Sequence, residues 1–81
     1  GEALYYLGLT KRFLGEYDAA YPHFYKATWN YAWRAAAYYE LACLDLRKGD
    51  AATALQHVEL SLETNATSNK AQVLRAICLR N

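Results

Sequence analysis

The sequence has few of the features that mark membrane proteins or secreted disulfide-rich proteins. No window approaches the ~18 to 20 uninterrupted apolar residues that a membrane-spanning helix needs. Only two cysteines are present, Cys43 and Cys78, too few for a disulfide framework. Both fall within apolar helical patterns, so we expect buried free thiols. These absences lead us to expect a cytoplasmic protein with no membrane partner.

An excess of charge of one sign is also missing. Nine basic and eight acidic residues give a net charge of +1 and are scattered along the chain. The only basic doublets, Lys11-Arg12 and Arg47-Lys48, each lie a few residues before a glycine, where cations suit the negative end of a helix dipole. Nucleic-acid binding would need a basic patch, so we expect no nucleic-acid partner.

Catalytic and metal-binding signatures are absent as well. The sequence contains no G-x-S-x-G, P-loop, Rossmann glycine run or H-E-x-x-H motif. Glu40 and Asp45 are near each other on one predicted helix but not on one face, which makes them poor acid–base candidates. His23 and His57 have no cysteine or acidic residue at metal-ligand spacing. We therefore expect no catalysis, no cofactor and no metal.

What the sequence does contain is an internal repeat. Offsetting the chain by 34 residues aligns identical residues, namely Ala3 with Ala37, Tyr5 with Tyr39, Leu7 with Leu41, Gly15 with Gly49, Ala20 with Ala54, His23 with His57 and Ala32 with Ala66. A third copy begins around Ala71. The repeat divides residues 1–81, one domain, into unit one (1–34), unit two (35–68) and a partial unit (69–81). We interpret the chain as a fragment of a longer one.

Each unit has the pattern of two helices. Apolar residues at helical spacing mark a first helix, which we expect to stop at Gly15 and, in unit two, at Gly49. Acidic residues follow at once, and Glu16 and Asp50 suit the start of a second helix.

We predict where each second helix ends. In unit one it runs to about Trp29 or Asn30, with Pro22 in its first turn, and in unit two it runs to about Thr64. No segment shows the alternation of a strand. The predicted fold is all-α, with about five helices stacked as antiparallel pairs.

The segment ALYYLGLTKRFLGEYDAAYPHFYKA resembles the tetratricopeptide repeat, a helix–turn–helix unit of 34 residues. Its signature positions hold, in the two units, Leu4, Leu7, Gly8, Ala20, Phe24 and Ala27, then Tyr38, Leu41, Ala42, Ala54, Val58 and Ser61. Lys11 and Asp45 replace the usual aromatic residue late in the first helix, and Ala32 and Ala66 replace the usual proline. The resemblance implies a right-handed α-solenoid.

The signature residues predict a close helix crossing within each unit. Small side chains let the two helices approach, and larger ones fill the space around the crossing, namely Leu7, Phe24, Leu41 and Val58. In the partial unit, Gln72 and Arg75 sit where apolar residues would face a further helix. We therefore expect the last helix to act as a polar-faced cap.

The resemblance also implies a binding surface. In this family the first helices of stacked repeats line a concave groove in which extended peptides often bind. Carried over position by position, that groove is lined by Tyr5, Leu9, Arg12, Phe13, Tyr39, Cys43 and Arg47. Tyr5 and Leu9 occupy the places of a clamp that some members use for a terminal carboxylate, so we expect an apolar or mixed peptide instead. The alternative is that these side chains only pack within a longer solenoid.

The aromatic residues form a second candidate surface. All twelve lie between Tyr5 and Tyr39, which is more than the repeat requires. Three of them, Tyr25, Trp29 and Trp33, fall outside the core positions of the repeat and are predicted to form an aromatic interface. Its occupant is left open between a neighbouring domain, a second copy in a homo-oligomer, and a sugar or peptide ligand.

The sequence therefore predicts a non-catalytic module for protein–protein or interdomain contact. The alternative is an accessory repeat segment of a carbohydrate-active enzyme that contributes aromatic contacts to the substrate. The chain is also similar to the repeat region of large bacterial proteins that pair such repeats with a carbohydrate-associated domain of unknown function. No activity is carried over from that similarity.

Overall fold

The computed structural model describes residues 2–80, and this part of the chain is entirely helical, without strands. The helices are α1 (Glu2–Phe13), α2 (Tyr17–Ala27), α3 (Tyr31–Arg47), α4 (Ala51–Thr64) and α5 (Asn69–Arg80). The predicted all-α architecture of about five helices is confirmed for these residues. None of the five helices has both the length and the apolar content that crossing a membrane requires.

The turns that follow α1 and α3 are built alike. Gly15 and Gly49 have φ angles of 82° and 86°, a conformation that glycine adopts without the steric cost of a side chain. The Glu16 N–H donates to the Lys11 carbonyl, and the Asp50 N–H donates to the Asp45 carbonyl, both at 2.9 Å. The two helices therefore end in the same way. The predicted glycine stops are confirmed, and the 34-residue sequence repeat is also a repeat of backbone geometry.

Helices α3 and α4 form an antiparallel pair. Near the turn that joins them, His57 Nδ1 of α4 lies 2.6 Å from Asp45 Oδ2 of α3. Farther from the turn, Ser61 Oγ donates to the Ala35 carbonyl at 2.7 Å. From the first contact to the second, the α4 residue number rises from His57 to Ser61 while the α3 residue number falls from Asp45 to Ala35, as an antiparallel pair requires.

Helices α1 and α2 cross closely at Gly8 and Phe24. A Cβ atom placed on Gly8 would lie 2.8 to 2.9 Å from three ring atoms of Phe24, nearer than real Cβ contacts come. Phe24 is fully buried and has no room to withdraw. Glycine at this position therefore lets the ring lie directly on the α1 backbone. The equivalent pair in unit two is Ala42 and Val58, both fully buried.

The buried apolar residues form two clusters that follow one another along the chain, and not one central core. The first joins unit one to α3 and consists of Ala20, Phe24, Leu41 and Leu44. The second joins unit two to α5 and consists of Ala42, Ala54, Val58, Ala71, Leu74 and Cys78. Each helix pair thus shares its buried surface with the helix that follows, a repeat-like packing.

The predicted position of Leu7 in the core is wrong. Leu7 is 41% exposed, whereas its equivalent in unit two, Leu41, is fully buried. Leu41 is buried because Ala20 and Phe24 of unit one pack with it in the first apolar cluster. Among residues 2–80 no helix pair precedes α1, so the equivalent side chain in α1, that of Leu7, remains exposed to solvent.

Two details of α2 also differ from the prediction. The helix ends at Ala27 rather than at Trp29 or Asn30, because the Asn30 side chain accepts a hydrogen bond from the Ala32 N–H at 3.0 Å and starts α3 instead. Pro22 is the sixth residue of α2 and lies beyond its first turn, yet the helix continues through it. The predicted end of α4 at Thr64 is confirmed.

A buried polar network fastens α2, α3 and α4 together. Asp45 is only 3% exposed and faces His57, whose ring is stacked against that of Tyr38 at 5.8 Å. Burial, and after it the negative charge of Asp45, raises the pKa of the Tyr21 hydroxyl of α2. The sequence analysis noted Asp45 as a departure from the usual aromatic residue of the repeat. It did not predict that Asp45 contacts His57.

Asp45→Asn should lower the free energy of unfolding by about 2 kcal/mol, because the neutral amide loses a charge-assisted hydrogen bond in a buried site. Urea denaturation followed by circular dichroism measures the change. The matched control is Asp18→Asn, since the Asp18 side chain is 95% exposed and its ion pair with Lys48 is superficial. Equal losses in the two variants would contradict a stabilising role for the buried pair.

Candidate functional site

Most of the predicted groove residues lie where α3 meets α1 and α5. Tyr5 and Tyr39 line a cavity of about 210 Å³ together with Glu40 and Lys70. A second cavity of about 240 Å³ is lined by Arg12, Phe13, Cys43 and Arg47, together with Tyr17 and Leu44. Leu9 lines neither of these cavities and packs instead against the first apolar cluster.

The surface continues onto α5. A cavity of about 340 Å³ with a mainly apolar lining lies between Tyr39 and the α5 residues Lys70, Val73, Leu74 and Ile77. Val73 and Ile77 stand one repeat after Tyr39 and Cys43, so the 34-residue offset would have found them had it been extended into the partial unit. We call these three cavities together the α3 groove.

The α3 groove contains a buried carboxylate. Glu40 is 8% exposed, and its Oε1 lies 3.4 Å from Arg12 Nε, too far for the short charge-assisted hydrogen bond of a tight ion pair. Within the described part of the chain, Oε1 accepts no hydrogen bond. Burial raises the pKa of Glu40, and the opposing effects of Arg12, Lys70 and Tyr5 are smaller. The structure thus holds this charge at a cost in stability.

Arg47 presents a second guanidinium to the same groove. It lies over the ring of Tyr17 at 4.1 Å from the ring centre, a cation–π contact that orients the side chain. Among residues 2–80 no carboxylate lies within 4.0 Å of its nitrogen atoms. Arg47 is therefore an oriented and exposed cation.

The two cysteines are free thiols, as predicted. Cys78 is buried and Cys43 is half-buried in the groove wall. Burial is the main effect that raises the pKa of both thiols. A raised pKa favours the protonated thiol over the thiolate at neutral pH.

A separate site, which we call the aromatic cleft, lies where the ends of α2 and α4 meet the start of α3. It has a volume of about 410 Å³ and is lined by Tyr25, Thr28, Trp29, Tyr31, Arg34, Tyr38, Leu60, Glu63 and Thr64. Trp29 and Tyr31 are 71% and 70% exposed. Arg34 is fixed by a 2.9 Å hydrogen bond from its Nε to the Thr28 carbonyl and lies 5.5 Å from the Tyr31 ring centre.

The predicted aromatic interface is divided between two places. Tyr25 and Trp29 share the aromatic cleft, but Trp33 packs on α1, with ring centres 5.0 Å from Tyr5 and 5.9 Å from Tyr6. The four-residue spacing of these aromatic residues does not continue across the junction, because α2 ends at Ala27 and a new helix begins at Tyr31. Trp33 consequently supports the wall of the α3 groove near Tyr5.

The two histidines lie in different surroundings. His57 is held in the network with Asp45, and His23 is half-buried on α2. In the part of the chain that the structure describes, no group of three or more His, Cys, Asp or Glu side chains is arranged to hold a metal ion.

Glu40→Gln should increase the free energy of unfolding at pH 7. The folded-state pKa of Glu40 is raised above its ordinary value of 4.5, so folding disfavours the ionised form. The penalty is absent below pH 4.5, appears as the pH rises through the folded-state pKa, and is constant above it. The advantage of the variant should therefore be present at pH 7 and vanish near pH 4, as measured by urea denaturation at both pH values.

The control for this experiment is Glu63→Gln, an exposed glutamate for which little change is expected at either pH. A wild-type protein more stable than Glu40→Gln at pH 7 would contradict the prediction. That result would mean that the interactions with Arg12 and Tyr5 outweigh the burial of the charge.

No protein-family model matches the chain, and no curated protein matches its sequence. The α3 groove and the aromatic cleft are therefore the observations from which function has to be inferred.

Proposed function

We propose that this chain is a non-catalytic interaction module of the tetratricopeptide type, a segment of right-handed α-solenoid that binds an extended segment of another protein, or of its own parent chain, along the α3 groove. The observation that carries the proposal is the groove itself. Residues of α1, α3 and α5 form most of its lining, together with Tyr17 of α2 and Ser61 of α4. Tyr39 belongs to two of its cavities, and the contact between Glu40 and Arg12 joins the third to them. An elongated, partly apolar groove of this kind suits a peptide better than a compact ligand.

Three features support the assignment to this repeat type. The helix-ending turns at Gly15 and Gly49 recur with the same geometry at an interval of 34 residues. The small residues of the signature are buried at helix contacts. On α5, Gln72 donates to the Ala66 carbonyl at 2.8 Å and Arg75 lies 3.6 Å from Glu59, polar contacts that suit a capping helix.

The groove chemistry favours binding over catalysis. The thiol of Cys43 has a raised pKa, and the carboxyl group of Glu40 is buried against Arg12. Neither group is positioned beside a base or nucleophile in the way that acyl or phosphoryl transfer requires.

The proposal can be tested with a substitution that blocks the apolar part of the groove. We expect peptides selected from a random library on the wild-type protein to lose about tenfold or more in affinity for Val73→Arg, because a bound peptide would have to bury the new guanidinium in the apolar cavity without a partner. Fluorescence anisotropy with labelled selected peptides gives the affinities. The matched control is Leu79→Arg on the same helix, since Leu79 is 57% exposed and Val73 is 60% exposed.

Circular dichroism of each variant confirms that α5 remains folded. Selected peptides that bind Val73→Arg and wild type equally would place the binding surface elsewhere. A library that yields no binder would contradict the proposed function.

The aromatic cleft favours a second candidate function, saccharide binding within a larger carbohydrate-active protein. Exposed rings such as Trp29 and Tyr31 offer flat apolar faces, and Arg34 and Glu63 offer a donor and an acceptor for hydroxyl groups. Arg34 and Glu63 are not paired with each other within 4.0 Å, so both groups remain available to a ligand between them. Their opposite charges favour a neutral ligand over an ion.

A saccharide in the aromatic cleft should change the fluorescence of Trp29 when cello-, xylo-, malto- and chito-oligosaccharides are titrated into the protein. Trp29→Ala should abolish the response, whereas Trp33→Phe should preserve it, because Trp33 lies against α1 and outside the cleft. A response that persists in Trp29→Ala, or that no saccharide of the panel produces, would exclude this candidate.

A further inference from the structure

The charges of the α3 groove narrow the chemistry of its ligand. Three cations, Arg12, Arg47 and Lys70, line its cavities, and Glu40 is the only carboxylate among the lining residues that the structure describes. The whole chain is almost neutral, with a net charge of +1. The lining residues that the structure describes therefore carry more positive than negative charge, with three cations and one carboxylate.

Glu40 cannot neutralise this charge. It is one buried carboxylate beside two cations, Arg12 at 3.4 Å and Lys70 farther away. Arg47 has no carboxylate partner, as described above, and it shares a cavity with Arg12. The side chain of Arg12 is 43% exposed, so its guanidinium remains accessible from the groove. Two guanidinium groups thus face one cavity, an arrangement that favours an anionic side chain.

The apolar end of the groove lies a short distance along α3. Tyr39 borders the cavity formed with Val73 and Leu74, and Arg47 borders the cavity formed with Arg12. Tyr39 and Arg47 are eight residues apart on one helix, a separation of about 12 Å. An extended peptide covers about 3.3 Å per residue, so it needs about four residues to pass between the two cavities.

We propose that the α3 groove binds an extended acidic peptide in which an apolar residue and a glutamate or aspartate stand four positions apart. The apolar side chain occupies the cavity beside Val73, and the carboxylate lies between Arg12 and Arg47. Residues four positions apart on an extended chain point to the same side, so both side chains can face the groove at once. This assignment rests on the proposed peptide-binding function and narrows the apolar or mixed peptide expected from the sequence to one that carries a carboxylate.

The test uses three fluorescein-labelled nonapeptides, each with a central leucine and with Ser-Gly-Ser spacers leading to identical first and last residues. Those residues are glutamate, glutamine or lysine, so the design serves either chain direction. In fluorescence anisotropy at 50 mM NaCl, we expect the glutamate peptide to bind about tenfold more tightly than the glutamine peptide, and the lysine peptide to bind most weakly. Raising the salt to 500 mM should remove most of the difference.

Two variants connect the charge preference to the named side chains. Arg47→Gln should bring the affinity for the glutamate peptide close to that for the glutamine peptide, and it leaves the Arg12–Glu40 pair intact. Arg12→Gln should act in the same direction but also removes the partner of Glu40, so its folding is checked by circular dichroism. Lys26→Gln is the control, since Lys26 is an exposed cation on α2 outside the groove and should leave binding unchanged.

The outcomes separate this inference from the function on which it rests. If the glutamine or lysine peptide binds as tightly as the glutamate peptide and Val73→Arg weakens all three, the groove binds peptides without selecting charge, and only the acidic preference is overturned. If none of the three binds, the inference is wrong, and the library selected on the wild-type protein, compared with Val73→Arg, decides whether the groove binds peptides at all. A preference for glutamate that survives Arg47→Gln and Arg12→Gln would also overturn it.

Discussion

The buried contact between Asp45 and His57 holds together α3 and α4, two helices that contribute residues to both candidate sites. It joins α3 to α4 at 2.6 Å, and through Tyr21 and Tyr38 it also fixes α2 against this pair. A buried polar contact is directional, whereas apolar packing alone tolerates sliding. The network therefore aligns α3 with α4 in unit two and, through the ring contact between Tyr21 and His57, ties α2 of unit one to them. The aromatic cleft is formed by the same three helices away from the α3–α4 turn, and Tyr38 both lines it and stacks on His57.

The two sites differ in how their charges are held. In the aromatic cleft, Arg34 is anchored by the Thr28 carbonyl and stands near an acidic residue of another helix, so the site is balanced. In the α3 groove, Glu40 is buried and the cations remain at the surface, so the site is unbalanced. A buried carboxylate orients Arg12 without cancelling its charge at the groove opening. The proposed functions follow this division, with an ionic ligand proposed for the α3 groove and a neutral, stacking ligand for the aromatic cleft.

The repeat made much of the fold predictable, because glycine stops, acidic helix starts and small residues at crossings each have a local physical cause. Leu7 was misplaced because its burial depends on a neighbouring helix pair that the local pattern does not include. Tyr5, Tyr39 and the two arginines were predicted as groove residues from their repeat positions, and the structure places them around neighbouring cavities. Glu40 and the Asp45–His57 pair were missed, since charged residues at buried positions contradict the repeat pattern, and their partners lie on other helices.

The contact between Gly8 and Phe24 has a consequence for how the two units relate to each other. Unit one combines the smallest possible residue with a large ring, whereas unit two combines Ala42 with the smaller Val58. Moving alanine alone into unit one would place a methyl group inside the Phe24 ring contact, and moving glycine alone into unit two would leave an unfilled space. The units follow the same path but are not interchangeable residue by residue. Each crossing requires its own pair of residues, Gly8 with Phe24 and Ala42 with Val58. A consensus that combined residues of the two units position by position would therefore not pack well at either crossing.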